Sequence, residues 1–553
     1  MALTLKSVCR DCQVPGLISV EFIQCREPSL SDLIYPSNYL KNIAMKLNIC
    51  VNFFVACGMI LMSTGCTNLS ENLYDKVAAD EYGKTEKEIN SIVGAAYASL
   101  RGKGFTGGSG MAFSEYVYFI SALSSDEAVL PARNHGADWY DGGRYVELKR
   151  HQWGTNNTCI NGAWSYAYNI ISTVNQIISQ VGDSSLDEQT KDKIFAELRA
   201  TRAFAYYRLI DWFGNVPIIK DYKDLSLPTN SSRAEVFKFI EDELKEVIPI
   251  LPETGYGKMT KNAGNCLLAR LYLNSEVFTG TPRWNDCLDA CLKIKGELEP
   301  DYFTNFLTEN QVSKEIIFAI PYDHKMGTSG NFLHWALTHE EQCWAISPTG
   351  NFYGGGNSMV AQPGLYAQFD ENDVRRGTML IGDQIDLRTG TVIDADPQTP
   401  GLQPLCFTDE ISDILDAGAC EGVHWNKYEM LDGEDWERDH DLVVMRYAEV
   451  LLMEAECYVR LNQPENARPL IEQIRTRAHI NTPAMIDLSL VENELKKEFI
   501  FEDHRRTDMI RFGSFFSGTW WEKETVTPDY RGIFPIPQQE LDKNNNLKQN
   551  PGY

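Results

Sequence analysis

The sequence predicts a mainly helical protein built from tetratricopeptide-like helical hairpins, with a loop-rich, aromatic-rich insertion in mid-chain. Three observations predict it. Apolar residues recur at spacings of three and four over long stretches, the links between such stretches are short, and residues 300–440 lose that period in favour of glycine, proline and tryptophan. The 553 residues are 43% hydrophobic and 23% charged, which is globular usage and excludes a disordered or collagen-like chain. With 51 basic against 77 acidic residues the net charge is -26, which would repel phosphate backbones; no nucleic-acid partner is expected.

Taken in order, Met45 to Cys66 carries one lysine followed by nineteen uncharged residues. Its apolar heart, Phe53 to Met62, has the length of a secretory h-region rather than of a membrane span. Ser63-Thr64-Gly65-Cys66 places a small residue before a cysteine, as a bacterial lipoprotein signal peptidase requires, although Ser63 stands where leucine is usual. Residues 45–65 are therefore expected to be a lipoprotein signal peptide, Cys66 the lipidation site, and 1–44 a segment outside the mature protein.

Beyond a polar tether, the periodicity predicts helices over 84–101, 112–124, 159–181, 188–212, 232–249, 261–278 and 284–295, and again over 441–461, 465–478 and 488–511. Ile170, Ile171, Val174, Ile177 and Ile178 form one stripe. Ala196, Ala200, Ala203, Phe204 and Tyr207 form another, with small residues where two helix backbones can approach. The chain thus divides into a helical region 66–299, a loop-rich ligand-binding insertion 300–440 and a C-terminal helical region 441–553.

Several motifs fail on context. Gly102 to Gly107 fits GxGxxG but follows a helix, not a strand. The Asp370, Asn372 and Asp373 cluster has Arg375 where a calcium loop needs glycine, and there is neither HExxH nor GxSxG. The cysteines form no paired CxxC knuckles, so no zinc site is expected; Cys406 and Cys420 flank an acidic segment and are candidates for oxidation outside the cytoplasm.

Asp138-Trp139-Tyr140-Asp141-Gly142-Gly143 is different, because an aromatic pair set among Asp and Gly does not suit a core helix. Ring faces stack on the CH faces of sugars while neighbouring carboxylates and guanidiniums meet hydroxyls. Arg133 and Asp138 supply the polar side, and Trp335, Trp344 and Tyr353 stand in similar polar, glycine-rich company in the insertion.

Further segments resemble the SusD/RagB family of surface glycan-binding lipoproteins of Bacteroidetes. They are Phe204-Ala-Tyr-Tyr-Arg-Leu-Ile-Asp-Trp-Phe-Gly-Asn-Val-Pro-Ile218, Arg446 to Glu456, Ile474 to Ala478, Glu494 to Gly513, and the ending Phe534-Pro-Ile-Pro with Asn550-Pro-Gly-Tyr553. The resemblance implies a SusD-like body anchored by lipid in the outer membrane and exposed at the cell surface. It implies capture of an oligosaccharide and its delivery to a SusC-like TonB-dependent transporter, with no catalytic residue, cofactor or metal. It also implies an aromatic platform formed partly after the early Ser125-Asp126-Glu127 segment and partly in the insertion. By position its residues are Trp139, Tyr140, Trp335, Trp344 and Tyr353. The charged residues Glu449, Glu454, Glu456, Glu498, Glu502, Arg505, Arg506, Asp508 and Arg511, at helical spacings, read as charge-paired scaffold. The alternative functions are a surface glycoside hydrolase and a protein-interaction scaffold for a transporter complex.

Overall fold

Among the described residues, 86–102, 117–323, 355–396, 400–429, 431 and 439–553, the computed structural model has ten helices of eight residues or more. They are α1 Glu86–Ser99, α2 Thr158–Gly182, α3 Glu188–Trp212, α4 Arg233–Val247, α5 Lys261–Leu273, α6 Trp284–Cys291, α7 Tyr447–Arg460, α8 Pro464–Arg477, α9 Leu488–Glu498 and α10 Arg505–Phe512. The proposed signal at 45–65, Cys66, Trp335, Trp344, Tyr353 and the first part of the helix expected from 112 lie outside the described residues.

Local signals set the helix ends. Asn157 caps α2 by accepting from the Cys159 and Ile160 amides, Asp187 caps α3, a capping box of Ser232 and Glu235 opens α4, and Pro464 begins α8. Short links make the pairs α2 with α3 and α7 with α8, and the pairs stack through contacts of α1 with α2, α3 with α4, α5 with α6 and α6 with α7. Apart from the half-buried Ile178, the Ile170 and Ala196 stripes are buried, on the paired helices α2 and α3. Gly264 on α5 has a steric purpose: a Cβ there would lie 2.8 Å from Ile248.

Two expected helices are corrected. Residues 441–461 are not one helix, because Leu442–Arg446 is a buried strand pairing antiparallel with Ile316–Ile320, and the helix starts only at Tyr447. A short apolar run has the same look in either form, and the wholly buried, β-branched Val443 and Val444 favour the strand. The helix expected over 488–511 breaks between Glu498 and Arg505, where Phe501 and Asp503 take left-handed backbone with φ of 62° and 63°. Packing holds that break open. Phe501 stacks on Trp425 at 4.6 Å, and Asp503 lies 2.6 Å from Arg208.

The scaffold charges are paired as expected, but inside the molecule rather than on exposed helix faces. Arg446 reaches Glu315, Glu498 and Glu502 at 2.8, 2.5 and 2.8 Å, Arg375 reaches Asp373, Glu494 and Glu498, and Lys427 reaches Glu502 at 2.6 Å. Glu449 binds Arg270, and Glu456 binds Arg460 and Arg511. Glu454 on α7 is the exception: it is 8% exposed, has no ion pair among the described residues, and burial alone pushes its carboxyl up to about 7. A raised acid contributes stability in full below its unfolded value, about 4.3, and loses it as pH rises through the folded value. Glu454→Gln is therefore expected to match the parent near pH 4 and to be the more stable protein at pH 8, as read by thermal melts at the two pH values.

Candidate functional site

The site is built from Ser125-Asp126-Glu127 outward. The Asp126 carboxylate accepts from Arg505 at 2.6 and 3.0 Å and from Lys496 at 2.9 Å, and these cations outweigh burial and hold it well below the ordinary aspartate value. Next to it Glu127 is buried, and desolvation pushes its carboxyl up to about 8. Lys149 donates to the Ser125 and Ala128 carbonyls at 2.8 Å each, and His151 sits 2.9 Å from the Ser124 carbonyl. Cations from α9 and α10, elements of the C-terminal region, thus grip the chain just before it becomes the strand Ala128–Val129.

That strand pairs antiparallel with Val360–Ala361, over an apolar cluster of Val129, Val146, Val360, Ile411, Ile414 and Ala417. Gly422 lets the next segment pass close by, since a Cβ there would stand 2.4 Å from Val360 and its φ is +96°. The loop that follows, 130–143, carries the aromatic pair. Arg133 and Asp138 exchange main-chain hydrogen bonds of 3.0 and 3.2 Å, and Ala132 bonds to Ile414 and Ala417 on the other side. Four non-glycine residues between 133 and 143, Asn134, His135, Trp139 and Asp141, have positive φ, Trp139 at 60° and Asp141 at 44°. Such backbone persists only where its surroundings hold it, and it clusters at functional sites.

The two rings of the loop are not equivalent. Tyr140 is 44% exposed and is followed by the short helix Arg144–Lys149. Trp139 is half-buried: its indole NH donates to the Gly356 carbonyl at 2.5 Å, and its ring packs on the core beside Tyr145. Asp138 is exposed. The role expected for Arg133 is corrected. It is 4% exposed, and its guanidinium donates to the carbonyls of Asn357, Gly418 and Glu421, so it staples the loop from beneath.

The sequence reading missed the residues that hold the loop from outside. His135 clasps Asp416 through its amide and its ring, both at 2.9 Å, and these bonds keep the Asp416 carboxyl below its ordinary value. Asn357 links His424 at 2.8 Å to the Ala419 carbonyl at 3.0 Å. The acidic composition of 409–421 was the available signal; its partner across almost three hundred residues was not. The flanking Cys406 and Cys420 are free, half-buried thiols. Among the described residues no cluster of His, Cys, Asp and Glu could hold a metal ion, and no helix is long and apolar enough to cross a membrane.

A family model described as the SusD family matches residues 421–553, and one described as starch-binding associating with outer membrane matches 126–273. A SusD-like protein of Bacteroides ovatus is 31% identical over 73% of this chain and 77% of its own length. The chain belongs to the SusD family. Another SusD-family relative, SusD-like protein P2 of Formosa agariphila, is 28% identical over 90% of this chain and 98% of its own. Among solved structures, surface glycan-binding protein A from Bacteroides thetaiotaomicron in complex with laminarihexaose shares the SusD-like fold with a TM-score of 0.68, at 20% identity over 84% of this chain and 99% of its own. Both halves of the Asp126 grip fall inside the two matched stretches. Gly356, Asn357 and Asp416, which brace the loop, fall between them.

Proposed function

We propose that this SusD-family chain is a non-catalytic, lipid-anchored surface protein that captures an oligosaccharide on the Trp139–Tyr140 loop and delivers it to a SusC-like TonB-dependent transporter. The observation that carries the reading is an exposed tyrosine ring on a strained loop clamped at both ends, beside the polar Asp138 and Asp141. A ring held still loses little entropy when a sugar face settles on it, while nearby carboxylates accept from hydroxyls. Relatives named for binding starch and laminarin support the ligand class, and the acylation pattern ending at Cys66 supports the anchor. Trp335, Trp344 and Tyr353 complete the platform in this proposal; Tyr353 stands three residues before Gly356, the acceptor of the Trp139 indole.

Calorimetric titration with a panel of neutral glycans tests it. Tyr140→Ala is expected to weaken the best ligand about ten-fold, from about 1–2 kcal/mol of lost stacking, without changing the melting temperature. Trp139→Ala is expected to lower both affinity and melting temperature, because that ring also holds the Gly356 segment. An unchanged affinity in Tyr140→Ala removes the site, and shortened products on chromatography after incubation remove the non-catalytic reading.

A further inference from the structure

A cavity of about 600 Å³ lies between α1 and α2, within the range of about 300–1,000 Å³ usual for small-molecule sites. It exists because the facing positions are short: Ala95 and Ala98 on α1 stand opposite Gly162 and Ser165 on α2. Its polar groups are hydroxyls and amides, from residues such as Thr158, Asn161 and Asn169. None of the twelve residues lining it is charged, in a chain where 23% of residues are. A site for an anionic ligand would hold a cation to offset the desolvation of that charge, so the lining selects an uncharged, hydroxyl-rich occupant.

Two further observations bear on the site. Asn161 lines the cavity, and its Oδ1 atom is buried without a protein hydrogen-bond partner among the described residues. The cavity is also joined to the aromatic loop by one side chain. Arg144 donates to the Thr158 hydroxyl at 3.4 Å and to Asp141, the neighbour of Tyr140, at 3.3 Å.

We propose that the α1–α2 groove is a second subsite, taking the extension of an uncharged oligosaccharide whose other end stacks on Tyr140. This rests on the glycan reading above and deepens it: the ligand is neutral, and affinity grows with chain length as units pass Arg144 and enter the groove.

The experiment is a length series in the full chain. Laminari- and malto-oligosaccharides from disaccharide to heptasaccharide are titrated against the parent, Ser165→Trp, which fills the groove, and Asn169→Ala. Asn169 is exposed, so removing its amide takes a hydrogen-bonding partner away from the sugar hydroxyls with little risk to folding. Both variants are expected to bind the longest bound oligosaccharide about ten-fold more weakly while leaving the disaccharide unaffected. If neither variant changes affinity at any length while Tyr140→Ala still weakens binding, the subsite is overturned and the platform stands. If no member of either series binds the parent, the platform falls with it. Oligogalacturonides binding as tightly as their neutral counterparts would overturn the assignment of an uncharged ligand.

Discussion

Arg446→Met is expected to lower the free energy of unfolding by about 3–5 kcal/mol, the range seen when one partner of a buried ion pair is removed. Arg446 is 1% exposed, and its guanidinium meets Glu315, Glu498 and Glu502, which are themselves 0 to 7% exposed. Methionine fills much of the space and keeps contact with Phe499, whose ring the guanidinium overlies at 4.4 Å. The loss is therefore electrostatic. Arg477, Arg375 and Lys427 still hold part of the carboxylate charge, which keeps the cost within that range. The relieved carboxyls rise toward protonation in the folded state, so the variant is expected to lose further stability, relative to the parent, as pH is raised from 5 to 8. Adding Glu502→Gln should recover part of the loss. Urea unfolding of the two single variants and the double variant checks this, and a loss below about 1 kcal/mol for Arg446→Met would mean that water reaches the lattice.

The second large effect is expected at Asp126→Asn, where both stability and ligand binding should fall. The substitution leaves Arg505 and Lys496, 6% and 8% exposed, short of their shared anion, at a cost of about 3 kcal/mol. The pH signature separates this from a loss of packing. Because Asp126 is held below its ordinary value, its contribution is present above about pH 4 and is lost as pH falls below that value. The difference between parent and variant should therefore be full at pH 7 and shrink on acidification. Since this grip precedes the strand that leads into the 130–143 loop, glycan affinity measured well below the variant's melting temperature should also fall. Unchanged affinity in a destabilised Asp126→Asn protein would uncouple the C-terminal scaffold from the platform.

Legibility in the sequence followed the range of the interactions involved. Helices α2, α3 and α8 lie within a residue or two of their expected ends, because a cap, a stripe and a stop signal are all local. The strand at Leu442–Arg446 and the break at Phe499–His504 were hidden, because the forces that choose them are a paired strand more than a hundred residues upstream and a tryptophan at position 425. In the loop, Trp139 and Tyr140 look interchangeable as letters. The carbonyl of Gly356 makes one of them a strut and leaves the other a surface.

By itself the sequence determined the helical body, the charge-paired character of the C-terminal segments and the loop where aromatic and acidic residues meet, since periodicity, spacing and composition are properties of neighbouring residues. Only the tertiary structure decided that Arg133 points inward, that Tyr140 stays outside, and that α1 and α2 leave a neutral cavity beside the same loop. Each of those depends on which distant main chain supplies the acceptor or the wall, and one side chain's burial is set by partners that its own segment does not encode.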